Sequence, residues 1–180
     1  MDTIQKAHGF LRTPVVQLFR VDVNKIGAHQ ALKQVLSVYL GQPPGEISFQ
    51  KNPNGKLLHP KIFFSLSHCR NQALIAVSQI MPIGVDIEYL RPIKNEKMIA
   101  ERFFSPKENP DKTFLEIWTA KEAWVKAHGF RLMDHIHEKV LWDRVVSVQG
   151  LEEGYIGHLG FQNQQPGLEH IAAEVVLSHG

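Results

Sequence analysis

The 180-residue sequence predicts an α+β protein built as a pseudo-dimer of two similar halves, each an antiparallel sheet packed against helices. Three observations lead there. The order of periodicities is strand, helix, strands and then strand, helix, helix, strands, so one pattern is met twice. The pattern restarts near Met81–Pro82, dividing the chain into residues 1–82 and 83–180. No low-complexity stretch or linker separates the halves, so they are expected to share one interface.

The elements follow in order. Val15 to Asp22 reads as a strand with partial alternation. Asn24 is placed to cap a helix running to about Leu40, with Ile26, Leu32, Val35, Leu36 and Tyr39 at helical spacing. The turn-forming GQPPG at Gly41–Gly45 ends it. Ile47–Gln50 reads as a short strand, and NPNG at Asn52–Gly55 as a tight hairpin turn. KIFFSLSH, ALIAVS and PIGVDIE then follow closely enough to suggest an antiparallel meander. After Pro92 two helical stretches appear, KNEKMIAERFF and KTFLEIWTAKEAWVKAHG, the second ended by Gly129. Three further strands are expected around Val145–Val148, Tyr155–Phe161 and Ile171–Leu177.

With 43% hydrophobic and 21% charged residues, the composition is that of an ordinary globular protein. A net charge of +2 suits an anionic ligand or acidic partner but is too small to argue for nucleic acid. Cys69 is the one cysteine, so no internal disulfide can form and a reducing cytoplasm is the expected location. The first twelve residues hold no apolar core of signal-peptide length, and no membrane span is expected.

The run IGVDIEYL (Ile83–Leu90) raises a question of charge. On a strand Ile83, Val85 and Ile87 share one face, while Asp86 and Glu88 share the other, roughly 6.5–7 Å apart. Like charges so placed weaken a sheet unless something positive lies between them. In the helix WTAKEAWVKAHG, Trp118, Glu122 and Lys126 fall on one stripe at i, i+4 and i+8. By itself this stripe reads as a surface Glu–Lys pair. Taken with Asp86 and Glu88, it makes an all-oxygen site for a hard cation, with Lys126 available to a phosphate.

In this context GVDIE, FFSPKE (Phe103–Glu108) and WTAKEAWVKAHG together resemble the signature of the 4′-phosphopantetheinyl transferases, in the longer, monomeric two-half type. Upstream, NGK (Asn54–Lys56) and FFSLSHC (Phe63–Cys69) are similar to that type's further elements, in the right order. The resemblance covers roughly Gln30 to Gly129. It implies that Asp86, Glu88 and Glu122 ligate Mg²⁺ with the pyrophosphate of coenzyme A, and that Lys126 assists the departing nucleotide. It further implies that His68, after Ser67, meets the 3′-phosphate, with Ser67 among the residues that bind coenzyme A, that Gly55 and Lys56 border the adenine pocket, and that Lys33 supplies a basic group to the same phosphate. Leu57, Ser65, Cys69 and GFRL (Gly129–Leu132) depart from the usual pattern; none is a proposed metal ligand.

The implied reaction moves the phosphopantetheinyl group of coenzyme A to a serine of an apo acyl or peptidyl carrier protein, within the cleft between the halves. Glu122 is the candidate proton acceptor, directly or through water. The nucleophile then belongs to the partner, in keeping with the lack of a Ser-His-Asp pattern here. Two other readings compete. One is a non-catalytic protein that binds coenzyme A or a carrier. The other is a metal-dependent nuclease, which commonly needs a lysine where Leu90 stands. His128, His135 and His137 do not make a tetrahedral zinc set with a single cysteine. The expectation is a cytoplasmic monomer without nucleic-acid or membrane partners.

Overall fold

A computed structural model describes residues 16–167 and 171–176; the expected strand positions Val15 and Leu177 lie outside them. Strand β1 (Val16–Asp22) leads to helix α1 (Ala28–Leu40), which starts later than Asn24 would place it. The backbone N–H of Asn24 donates to Asp22 Oδ1 (2.9 Å), closing a turn that delays the helix to Gly27. Gly41 ends α1 in the left-handed region, as the GQPPG turn signal implied.

Strands β2 (Gln50–Lys51) and β3 (Leu57–Leu58) make a two-stranded hairpin. The expected strand at Ile47–Gln50 is confined to Gln50 and Lys51; Ile47 is instead a buried anchor after a short 3-10 turn. Strands β4 (Phe63–Cys69), β5 (Gln72–Ser78) and β6 (Ile83–Tyr89) follow, but not as a meander. β4 and β5 pair, whereas β6 joins a second sheet. Helices α2 (Glu96–Phe103), α3 (Phe114–His128) and α4 (Leu132–His135) come next, then β7 (Val145–Ser147), β8 (Tyr155–Phe161) and β9 (Ile171–Val176).

The first sheet has the order β4-β5-β1-β9 and the second β6-β8-β7. All pairings are antiparallel except β9, which runs parallel to β1 and so carries the chain's last described strand back to the first sheet. Four layers result. Phe19, Val21, Ile75 and Val77 turn toward Leu32 and Leu36 of α1. On the opposite face Val16, Leu18, Leu74 and Ala76 meet Ile83, Val85, Ile87, Leu159 and Phe161 of the second sheet. The alternation expected for β6 therefore holds, with its odd positions in the shared core.

The even positions of β6 and β8 face α3, and two glycines set how close that helix comes. A Cβ on Gly84 would stand 2.1 Å from Ala123 O, and one on Gly160 would stand 2.6 Å from Ala123 C. Both must be glycine for α3 to rest on the sheet. The helix begins with a reciprocal capping box between Thr113 and Glu116 and ends at Gly129 (φ 70°). No helix among the described residues is long and apolar enough to cross a membrane.

Candidate active site

The polar groups collect where β4, β6 and α3 meet. β4 lies alongside β6, but its serine hydroxyls rather than its carbonyls serve that edge. Ser65 Oγ accepts from Val85 N (3.0 Å), and Ser67 Oγ accepts from Ile87 N (3.4 Å). An edge strand that would otherwise bury unpaired N–H groups is thus satisfied by side chains.

Asp86, buried at 6% exposure, points from β6 toward α3. Lys126 Nζ stands 2.6 Å from Asp86 Oδ1, and the Ser67 hydroxyl donates to the same oxygen at 2.7 Å. Burial pushes the Asp86 carboxyl above its ordinary range, against the opposing pull of Lys126 and then of the Ser67 hydrogen bond. Glu88, two residues on, is held by Arg91 at 2.7 Å, with the Cys69 thiol 3.7 Å away. The positive charge beside each strand acid is therefore a side chain: Lys126 for Asp86, Arg91 for Glu88.

Glu122 lies one turn before Lys126 on α3, half-buried, with no hydrogen bond or ion pair of its own among the described residues. Burial raises its carboxyl, Lys126 opposes this, and the neighbouring Asp86 and Glu88 add to the rise. Among the described residues no three Asp, Glu, His or Cys side chains converge as a finished metal site. The donor set nonetheless fits a hard cation on its chemistry. It consists of three carboxylates, one of them without a hydrogen bond or ion pair among the described residues and raised by burial and, further, by the other two.

Glu122 and Lys126 open into a cleft of about 780 Å³ between the hairpin, β4 and the end of α3. Gly55 (φ 84°), Lys56 and His68 line it, as does the segment Phe130–Asp134. Lys33 is not among the lining residues and lies with its ammonium 6.0 Å from the Phe49 ring. His29, one turn earlier on the same helical face, lines the cleft instead; the i, i+4 spacing from Lys33 was the available signal. Lys51 and Arg131 complete a predominantly cationic wall suited to a polyanion.

The hairpin is fastened to α3. Asn52 Nδ2 and Asn54 Nδ2 both donate to Gly129 O, at 2.9 and 2.8 Å. Lys56 Nζ donates to Ile83 O (3.2 Å) and to Lys126 O. The last carbonyls of α3 thereby gain partners from the first half of the chain. Burial, and then the charge of Lys126, lower the Lys56 ammonium to about 8.

Sequence reasoning missed a second ion pair on α3. Lys121 and Glu108 meet at 2.6 Å, nearly inaccessible to solvent. Lys121 also donates to Glu138 O, and Glu108 accepts from Val140 N at 3.2 Å. The histidines considered for zinc have other occupations. His128 and His135 each stack on Phe130, with Nδ1 at Trp124 O and at Glu138 Oε1 respectively.

A family model described as the 4′-phosphopantetheinyl transferase superfamily matches residues 82–173, from β6 into β9. Among curated relatives, the 4′-phosphopantetheinyl transferase HetI of Nostoc sp. is 40% identical over 114 residues, 54% of this chain and 48% of that protein. The transferase gsp of Aneurinibacillus migulanus is 31% identical over 137 residues, 69% of this chain and 55% of that protein. Sfp of Bacillus subtilis is 29% identical over 148 residues, 70% of this chain and 65% of that protein. The chain belongs to the 4′-phosphopantetheinyl transferase superfamily. It spans between about half and two thirds of the length of these relatives.

Proposed function

We propose that the protein transfers the 4′-phosphopantetheinyl group of coenzyme A to a serine of an apo acyl or peptidyl carrier protein. The observation that carries this reading is the pairing of a cationic cleft with Glu122 and Lys126 on its floor, beside the buried Asp86. The family membership and the transferases HetI, gsp and Sfp support it. The products are the holo carrier and adenosine 3′,5′-bisphosphate.

Phosphoryl-type transfers depend mainly on holding the groups in line and neutralising charge on the phosphate oxygens. Asp86, Glu88 and Glu122 would hold a divalent cation such as Mg²⁺. When bound, that ion supplies charge neutralisation and orientation for the pyrophosphate. Lys126, in reach of the cleft, balances charge on the departing nucleotide phosphate. Glu122, its carboxyl raised by burial and by two acidic neighbours, takes the proton of the incoming serine hydroxyl. His68, His29, Lys56 and Gly55 form the wall against which the nucleotide is read. The reading also carries a cytoplasmic monomer whose two halves, 1–82 and 83–180, act as one domain.

Intact-protein mass spectrometry of an apo carrier incubated with this protein, coenzyme A and Mg²⁺ tests the proposal. A mass gain of one phosphopantetheinyl group, absent with EDTA and with Asp86→Ala, is expected. No gain with several carriers, despite measurable coenzyme A binding, would replace transfer by binding alone. Light scattering at twice the chain mass would remove the monomer.

A further inference from the structure

Ser67 sits in a motif whose resemblance places it among the residues that bind coenzyme A, yet its side chain faces the other way. Alternation along β4 turns Phe64, Leu66 and His68 to the cleft and the hydroxyls and thiol of Ser65, Ser67 and Cys69 to β6; Ser65 also borders the cleft, whereas Ser67 does not line it. Ser67 is buried at 8% exposure, and the cleft is lined by its neighbours Leu66 and His68.

A hydroxyl has one proton to give and two lone pairs to offer. The Ser67 proton goes to Asp86 Oδ1 at 2.7 Å. Its lone pairs take Lys126 Nζ at 3.3 Å and Ile87 N at 3.4 Å. Nothing is left for a phosphate. The same three contacts join the strand carrying Asp86, the helix carrying Lys126 and β4 at one atom.

We propose that Ser67 is a positioning residue, fixing Asp86 against Lys126, and not a ligand of the coenzyme A phosphates. This deepens the transferase reading and rests on it. The 3′-phosphate contact then falls to His68, whose exposed ring is in the cleft.

The two roles predict opposite patterns. A phosphate ligand, when removed, weakens nucleotide binding; a residue that orients the acid and the lysine lowers kcat and leaves nucleotide binding alone. The test is calorimetric titration of adenosine 3′,5′-bisphosphate into wild type, Ser67→Ala and His68→Ala, alongside transfer kinetics with coenzyme A and an apo carrier. For Ser67→Ala the expected result is bisphosphate affinity and KM for coenzyme A within about twofold of wild type. Its kcat is expected to fall by roughly 10- to 100-fold, as for other partners that orient a reacting group. His68→Ala is expected to lose about tenfold or more in bisphosphate affinity, a charge-assisted contact to phosphate being lost.

A folded Ser67→Ala that binds the bisphosphate ten times more weakly overturns the proposal, as does an unchanged kcat. Should Ser67→Ala not fold, Ser67→Cys keeps the shape of the side chain, somewhat enlarged, with a much poorer donor and carries the same expectations. Wild type that binds no bisphosphate and transfers nothing defeats the transferase reading first, and this inference with it.

Discussion

Helix α3 carries two lysine–carboxylate pairs of the same length, 2.6 Å, five residues apart, and they do opposite things. In the first, Lys121 and Glu108 have side chains 4% and 8% exposed. Backbone groups use what valence the pair leaves, with Glu138 O on the lysine and Val140 N on the glutamate. In the second, Asp86 is as buried as Glu108, but Lys126 is 29% exposed and opens on the cleft beside an unpartnered Glu122. A closed pair fixes the segments around it. An open pair, with its lysine reaching the cleft beside a carboxylate that burial raises, is placed to meet a ligand. Distance alone does not separate structure from chemistry; the saturation of the surrounding groups does.

The sharpest break of this comparison is at the closed pair. Lys121→Met keeps the length but leaves Glu108 charged and buried without its cation, at a cost of about 3–5 kcal/mol. Urea unfolding measures it, and a loss below about 1 kcal/mol would mean that solvent reaches this pair. Adding Glu108→Gln should restore at least half, since the amide oxygen can still accept from Val140 N while no charge remains. At the open pair the effect moves from stability to rate. Lys126→Met is expected to slow transfer by roughly 10²–10³-fold, or about 3–4 kcal/mol of transition-state stabilisation. Its unfolding free energy should change by less than half of that seen for Lys121→Met. If both variants lose stability equally, the distinction drawn here fails.

A buried group that does not line the cleft, the cross-strand partner of Asp86, extends the contrast to pH. His158 is 1% exposed, its Nδ1 2.7 Å from Thr119 Oγ1 and its Nε2 3.2 Å from Ser147 Oγ. Burial lowers its pKa to about 4. Because the folded value lies below the unfolded one, the unfolded chain takes up this proton first as the pH falls. The stability that neutral His158 contributes is whole above about pH 6.5 and is lost on the way down to about 4. Between pH 7 and pH 5 the loss should come to about 2 kcal/mol. Urea midpoints for wild type and His158→Asn at the two pH values check this; an equal slope in both would assign the acid sensitivity elsewhere.

Much of this was legible in the sequence where one local rule decides. Alternation placed Asp86 and Glu88 together and sent Ile83, Val85 and Ile87 to the core, and the 3.6-residue period placed Glu122 with Lys126. The errors arose where a distant element decided. Asn24 had the chemistry of a cap, but it lies in a turn closed onto Asp22, and the helix starts only after Gly27. β6 followed β5 as a meander strand would, yet Gly84 and Gly160 let α3 come down on a separate sheet with β8. The pairing of Glu108 with Lys121 was not read from the sequence, because nothing local says that these two charges will meet and be buried. Ser67 and His68 are adjacent in one motif, and only the direction of β4 relative to the cleft tells which of them faces the ligand.

The smallest effect, and the most direct probe of how the hairpin is fastened to α3, is at Asn52. Its Oδ1 accepts from Asn54 N and Lys56 N, shaping the hairpin loop, while its Nδ2 donates to Gly129 O. A Cβ on Gly129 would come within 2.7 Å of that Nδ2, so the joint needs glycine on one side and an amide on the other. Asn52→Asp separates the two functions. The loop keeps its acceptor, but the donor to α3 is replaced by an oxygen facing a carbonyl. Losing this one bond, with Asn54 still in place, should cost about 1 kcal/mol, read as a roughly fivefold weaker affinity for coenzyme A. The melting temperature should change by only a few degrees, because the loop and both cores are untouched. Unaltered coenzyme A affinity would show that Asn54 and Lys56 hold the mouth of the cleft without Asn52. A large loss of stability with unaltered affinity would make the joint a matter of folding, like the closed pair, and not of the open site.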